Sequence, residues 1–147
     1  EVRAAVEGVA TVGLPVVCTV SFDTNGRTMM GVSPSDFAEL ERSLTPRLAA
    51  CGTNCGVGAS EVVACIHNLA EAAGPDVVLI AKGNCGIPQY IDGKICYNGT
   101  PELMAVYARM ALDAGARIIG GCCGTSPLHL KAMHDALVAH TKGASPE

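Results

Sequence analysis

The apolar positions along the chain follow two periodicities, one typical of helices and one typical of buried strands. Short runs of β-branched and other apolar residues predict strands at residues 15–22, 48–54, 77–82 and 117–120. Apolar residues at helical spacing predict helices at residues 1–12, 33–43, 60–73, 100–114 and 127–140. Helix caps are expected at Ser33 or Ser35, at Ser60 and at Ser126, and Pro127 suits a first helical position. The remaining long segment, residues 83–99, is predicted to be a loop with a functional role because of its length.

The order of these elements is one helix followed by four strand–helix units. Strands that are apolar on both faces and alternate with helices indicate a parallel sheet covered by helices. Two architectures satisfy this order. One is a complete doubly wound sheet of four strands, and the other is half of a (β/α)8 barrel, which needs about 250 residues when complete. The pattern leaves both open.

Composition narrows the class of protein. The 147 residues are 49% hydrophobic and 16% charged, which indicates one well-buried globular domain. A net charge of −4 gives no support to a nucleic-acid partner, and no apolar run approaches the length of a membrane span. The chain has eight cysteines, but its long periodic segments predict a core that needs no disulfides. We therefore expect a reducing, cytoplasmic location.

Two adjacent cysteines lie in the sequence GGCCGTSP at residues 120–127. The motif joins a predicted strand to a predicted helix, so Cys122 and Cys123 are expected at the positive end of a helix. That position favours thiolate, the form of cysteine that binds metal or attacks carbon. The flanking glycines permit the bend that adjacent side chains need to face one ion, because on a straight strand they would point to opposite faces.

With LHL at residues 128–130, this motif closely resembles the signature that ends the domain of zinc-dependent homocysteine S-methyltransferases. The sequence GTNCG at residues 52–56 resembles the family motif that carries a third zinc thiolate, and KGNCGIP at residues 82–88 resembles a family loop after the seventh strand. The resemblance is strongest to bacterial betaine–homocysteine methyltransferases, through residues 21–23, 29–32 and 83–90.

The resemblance implies that Cys55, Cys122 and Cys123 bind Zn²⁺. Three protein ligands leave a fourth tetrahedral position open, as in catalytic zinc sites, and a substrate thiol could fill it as thiolate. The implied substrate is homocysteine and the implied product methionine. Betaine is the leading methyl donor, and S-methylmethionine, S-adenosylmethionine or a methylated folate working with cobalamin are the alternatives.

The resemblance also selects the barrel. It implies that residues 1–147 form the C-terminal half of a (β/α)8 TIM barrel, with strands five to eight and their outer helices. The chain begins at Glu1 without Met, so we expect a fragment or a processed product whose N-terminal half is missing. That half would supply the contacts to the homocysteine amino group and most of the donor pocket. We expect the half barrel alone to be inactive and poorly stable, because of its open strand edges, and to associate into homo-oligomers or aggregate.

Asn54 and Asn84 are candidate substrate contacts, with a role in fixing loop geometry as the alternative. Cys85 is the main rival as a metal ligand, because it follows a strand expected to adjoin both metal-bearing strands. The other cysteines are predicted to pack in the core (Cys18, Cys51 and Cys65) or to lie in a loop without a partner (Cys96). Three histidines on predicted helices are expected to be solvated or to cap helices: His67, His129 and His134.

Two other functions fit the same residues. The glycines around Cys122 would suit phosphate binding at a helix N-terminus in a barrel enzyme of another kind. Alternatively, Cys122 and Cys123 would form the vicinal dithiol of a protein that stores metal or senses redox state and has no enzymatic activity. Metal content separates the zinc enzyme from the phosphate-binding enzyme, and methylation of a thiol separates it from the dithiol module.

Overall fold

The computed structural model describes residues 1–23 and 25–143. Within these residues the predicted helices and strands are all present, with small differences at their ends, and two further strands occur. The elements are α1 (Val2–Ala10), β1 (Val17–Val20), α2 (Pro34–Arg42), β2 (Ala50–Cys55), α3 (Ala59–Ala73), β3 (Leu79–Gly83), β4 (Pro88–Ile91), β5 (Lys94–Tyr97), α4 (Pro101–Asp113), β6 (Ala116–Gly121) and α5 (Pro127–Gly143).

Four strands form a parallel sheet in the order β1-β2-β3-β6, which confirms the predicted parallel arrangement. Each of the helices α2 to α5 packs against the next, so these four helices form one layer. A doubly wound sheet reverses its strand order at a switch point and carries helices on both faces. The described strands show no such reversal. The sheet is therefore compatible with an arc of a barrel, and the half barrel itself stays a prediction.

The main core lies between the sheet and the helix layer. Phe37 from α2 and Leu79 from β3 are fully buried there beside apolar side chains of α3 and α4. Cys51 and Cys65 belong to this core and Cys18 packs against it, as predicted. Burying each large apolar side chain stabilises the fold by about 1.5–3 kcal/mol. This packing holds the carboxyl ends of the strands in fixed positions.

The opposite face of the sheet is partly open. Residues alternate between the two faces of a strand, and Cys18 and Ile119 pack against the helix-side core. Their neighbours Val17 and Ile118 therefore belong to the other face, where they are 55% and 46% exposed. We call this surface the open face.

The structure confirms the predicted cap at Ser33, and Ser126 stands at the predicted position before its helix. Ser33 begins α2 with a reciprocal capping box to Asp36, and Ser126 directly precedes α5. The cap predicted at Ser60 is wrong, because α3 begins one residue earlier and has Gly58 at its N-cap. The Ser60 hydroxyl instead donates to the Glu61 carboxylate at 2.7 Å. Across the described part of the chain, no helix combines the length and apolarity needed to cross a bilayer.

Residues 83–99 contain a β-hairpin, where a loop was predicted. Strands β4 and β5 pair antiparallel, and Asp92 and Gly93 join them with φ values of 49° and 78°. Positive φ at both central residues is the signature of a type I′ turn, for which Asp-Gly is a preferred sequence. The hairpin projects from the carboxyl end of β3, beside the cysteine-bearing loops.

Candidate metal centre

The cysteine-bearing loops meet at the carboxyl ends of three adjacent strands. Cys55 is the last residue of β2, and Cys122 directly follows β6. The central strand β3 is paired with both, so that Cys55, Gly83 and Gly121 lie in one row across the sheet. Parallel strands thus bring together residues that are 67 positions apart in the sequence.

The structure brings the sulfur atoms of Cys55, Cys122 and Cys123 within 4.8 Å of one another, and we call them the three-thiol cluster. The Sγ atom of Cys123 lies 4.0 Å from that of Cys55 and 3.9 Å from that of Cys122. Cys55 and Cys122 are half-buried and Cys123 is exposed. The cluster therefore combines converging sulfur atoms with access from solvent, which suits a metal ion that also binds a substrate.

The backbone around these cysteines is bent in the way that convergence requires. Cys55 has a φ of 57° and Gly56 a φ of 71°, so the β2 chain leaves its extended course at the thiol. On the other loop, Gly124 has a φ of 78°, and a Cβ atom there would collide with the ring of Tyr97. Glycine is needed at Gly124 for both reasons.

Asn84 joins the two cysteine loops. Its side-chain amide donates to the Gly56 carbonyl at 2.9 Å and accepts from the Cys123 N–H at 3.2 Å. The residue is only 6% exposed, so these bonds satisfy a buried polar group. This arrangement supports the role in loop geometry that the sequence left open for Asn84.

Asn54 lies one residue before Cys55 and has a different environment. Its amide donates to the hydroxyl of Ser21 at 3.3 Å, and the side chain helps to lower the pKa of the adjoining Cys55 thiol. The side chain is half-buried beside the cluster. Asn54 is thus the one of the two predicted asparagines that is better placed to reach a ligand at the metal centre.

The electrostatics of the cluster distinguish its members. Burial disfavours the Cys55 thiolate, but hydrogen bonds from the other two cysteines and from Asn54 outweigh it and lower the pKa of Cys55. The positive charge of Lys82 acts in the same direction. Burial and the neighbouring Cys55 raise the pKa of Cys122 to about 11. In the metal-free protein, Cys55 therefore ionises more readily than Cys122, which keeps its proton at neutral pH.

Cys85 does not join the three-thiol cluster. Its side chain is 1% exposed, and its thiol lies 3.1 Å from both the Gly99 carbonyl and Nε2 of His129. Burial raises the pKa of Cys85. The Nδ1 atom of His129 accepts the backbone N–H of Ser126 at 3.1 Å, so the ring completes the start of α5. His129 thus has the capping role that its position predicted.

Tyr97, at the end of β5, was not identified from the sequence. Its ring packs against Gly124, on the loop that carries Cys122 and Cys123. Burial and the Cys123 thiol raise the pKa of Tyr97. The Asp92-Gly93 turn would have predicted the hairpin, and with it an aromatic side chain brought towards the cysteines. Lys82, on β3, was also missed as a neighbour of the cluster.

The remaining singled-out residues lie on the surface. Cys96 is exposed on β5, as predicted. His67 lies 3.5 Å from the Glu71 carboxylate, and His134 lies 3.3 Å from that of Asp135. Both histidines are solvated, as their helical positions predicted.

Comparison with known families was made on the whole chain. A family model described as homocysteine S-methyltransferase matches residues 1–137, a span that includes every member of the three-thiol cluster. The match extends over all six strands and into the last helix. The chain therefore belongs to the homocysteine S-methyltransferase family.

Proposed function

We propose that the three-thiol cluster binds Zn²⁺ and that the protein transfers a methyl group to the thiol of homocysteine, giving methionine. Family membership supports methyl transfer as the type of reaction. The observation that carries the proposal is the convergence of Cys55, Cys122 and Cys123 from two separate loops. This convergence lies at the carboxyl edge of a parallel sheet, where α/β active sites gather.

The donor set fits zinc in number, chemistry and spacing. Tetrahedral zinc with zinc–sulfur bonds of about 2.3 Å separates its ligands by about 3.8 Å. Two of the sulfur pairs, at 4.0 and 3.9 Å, are already near that separation. When bound, Zn²⁺ would favour the thiolate form of a substrate thiol in its fourth position.

The residues of this chain would then orient the substrate. Asn84 fixes the two cysteine loops relative to each other, and Asn54 offers an amide donor beside Cys55. Methyl transfer forms a bond between the homocysteine sulfur and the methyl carbon. The bond between that carbon and the donor atom breaks, and its electron pair stays with the donor. The proton of the substrate thiol leaves to solvent before this step.

We further propose that residues 1–147 are strands five to eight of a (β/α)8 barrel, with the N-terminal half supplied by preceding sequence. The unreversed strand order, the single helix layer and the exposed Val17 and Ile118 on the open face support this. A barrel interior is filled by side chains from all its strands, so half of it would leave such residues uncovered. Betaine is the proposed methyl donor, on the resemblance of residues 21–23, 29–32 and 83–90. We propose a cytoplasmic location because thiol ligands stay reduced there.

The test compares cysteine variants of the full-length protein. Replacing Cys55, Cys122 or Cys123 with serine should remove bound zinc and reduce methionine formation by more than about 100-fold, since losing a ligand costs more than the 10–100-fold typical of losing a residue that only orients a ligand. Cys85→Ser is the matched control, because it changes the same group at the same edge of the sheet outside the cluster. We expect Cys85→Ser to keep its zinc.

Two outcomes would contradict the proposal. If Cys85→Ser loses zinc while Cys55→Ser keeps it, the ligand set is wrong. If the wild-type protein binds zinc and releases it on oxidation but methylates no thiol, the vicinal-dithiol module becomes the better assignment. Zinc is measured by elemental analysis, and methionine is measured with betaine and each alternative donor.

A further inference from the structure

A row of polar side chains crosses the open face directly below the three-thiol cluster. The parallel register places Asn54, Lys82 and Gly120 side by side on β2, β3 and β6. Ser21 extends this row beyond β1, since its hydroxyl accepts the Asn54 amide at 3.3 Å. Cys55 stands one residue farther along β2, about 3.3 Å towards the carboxyl edge.

Lys82 faces away from the helix layer. Its neighbours Ala81 and Gly83 lie on the helix side: Ala81 is fully buried in the core, and a Cβ at Gly83 would meet the Tyr107 ring at 3.1 Å. Strand alternation therefore places the Lys82 side chain on the open face. It is half-buried there, and its charge is felt by the Cys55 thiol.

Among the described residues, no carboxylate forms a salt bridge with the ammonium group of Lys82, and the charge of Lys82 acts on the Cys55 thiol. The negative charge that Lys82 acts on is the Cys55 thiolate, and in the proposed centre that thiolate is bound to the metal, so an anion on the substrate can still balance the half-buried cation. The row beside it offers hydrogen-bond donors and no carboxylate. Gly120 leaves space in the row as well, because a Cβ there would meet no atom within 4 Å.

From this juxtaposition we infer that Lys82 binds the carboxylate of the substrate amino acid, with Asn54 as a second donor. The inference rests on the proposed function, since it takes the substrate thiol to be held at the cluster. Four bonds separate the sulfur of homocysteine from its carboxyl carbon, which lets the carboxylate reach one row below the cluster. The same positive charge repels an ammonium group, so it also sets the direction in which the amino acid lies. Lys82 is thus a specificity residue that selects thiols bearing a carboxylate.

The test uses two thiols that differ by the carboxylate alone. Homocysteine and 3-aminopropane-1-thiol share the thiol, the chain length and the amino group. Their dissociation constants are measured by calorimetry on the zinc-loaded, full-length protein. Lys82→Met should weaken homocysteine binding by about 10- to 100-fold, as expected for the loss of a charge-assisted hydrogen bond. Binding of 3-aminopropane-1-thiol should change by less than about twofold, because it makes no such bond.

Two further variants control for folding and for charge. Lys82→Arg keeps the cation and should retain most of the preference for homocysteine. Lys94→Met removes a charge from exposed β5 and should change neither constant. Zinc content is measured on each variant, so that a change at the metal is seen separately.

The outcomes separate the inference from the function on which it rests. If Lys82→Met weakens homocysteine binding by less than threefold, or weakens the binding of both thiols equally, the role of Lys82 is wrong. Zinc binding and methyl transfer are unaffected by that result. A wild-type protein that binds neither thiol overturns the proposed function, and the carboxylate contact with it.

Discussion

The three-thiol cluster and the buried Cys85–His129 pair lie at the same edge of one sheet, yet their chemistry differs. In the cluster, three sulfur atoms face one another and solvent can reach them. At the pair, the thiol is 1% exposed, with a carbonyl and an imidazole each 3.1 Å away. Cys85 donates its proton to the Gly99 carbonyl, and Nε2 of His129 carries the ring hydrogen because Nδ1 accepts the Ser126 N–H, whereas the cluster thiols have mainly each other. The hydrogen-bond partners of a thiol and its access to solvent, more than the presence of a cysteine, distinguish a candidate site from a structural contact.

Backbone geometry explains why the Cys55 and Cys85 thiols point in different directions although their loops are neighbours. Cys55 escapes the strand alternation through its positive φ and turns towards Cys123. The Cys85 N–H donates to the Cys123 carbonyl at 2.9 Å, which holds that loop through its main chain. Cys85 thus supports the cluster through its backbone while its side chain points into the fold.

The largest expected difference between the two regions is in thiol reactivity. In metal-free protein at neutral pH, iodoacetamide should modify Cys55 more than about 100-fold faster than Cys85, since thiolate and access both favour Cys55. The lowered pKa of Cys55 means that its rate levels off at a lower pH than that of an ordinary thiol. The pKa of Cys122, about 11, means that its own rate still rises in alkaline solution. Peptide mass mapping measures each rate.

Exposed Cys96 serves as the internal standard for that experiment. It reports the reactivity of a thiol that the fold does not shield. Equal labelling of Cys85 and Cys96 in the native protein would show that the buried pair opens to solvent, and the contrast between the two regions would fail.

A smaller effect, on zinc affinity, is expected from changing Asn84, which lies between the two regions. Asn84→Ala removes the bonds to the Gly56 carbonyl and the Cys123 N–H, so that nothing ties the two cysteine loops together through this side chain. We expect zinc affinity to fall by about 10–100-fold, as is typical when a residue that orients metal ligands is lost. Competition with a chromophoric chelator measures the affinity.

Asn54→Ala is the matched control, because it removes the same amide from the open face beside Cys55. It should lower zinc affinity less than Asn84→Ala, since it does not join the two loops. The reverse order would place the fixing of the loops in Asn54 instead.

Much of this arrangement could be predicted from local sequence. The apolar runs located four parallel strands, and GGCCGTSP located a bent cysteine loop before a helix. The hairpin was missed although its Asp92-Gly93 turn is a recognisable signal, because the length of the segment received more weight than its turn chemistry. The cap at Ser60 failed because a glycine can begin a helix without a side-chain bond.

Other features depend on tertiary contacts that no local pattern contains. The bonds of Asn84 join residues 28 and 39 positions away, and Tyr97 reaches Gly124 only because the hairpin folds over the loop. The separation of Cys85 from the cluster has the same origin. Sequence placed Cys85 after the central strand, but the contact with His129 of α5 directs its thiol into the fold.

The smallest expected effect concerns the buried pair itself. His129→Ala removes the acceptor for the Ser126 N–H and the ring beside the Gly99 carbonyl. By analogy with the loss of a helix cap, the free energy of unfolding should fall by about 1–2 kcal/mol. Urea denaturation of the metal-free protein measures this loss, and chelator competition should show zinc affinity within about twofold of wild type, because His129 contacts none of the three thiols.

His134→Ala, on the exposed side of α5, is the control and should lower the free energy of unfolding by less than about 0.5 kcal/mol. If His129→Ala instead lowers zinc affinity as much as Asn84→Ala does, the buried pair is part of the metal site, and the distinction between the two regions is wrong.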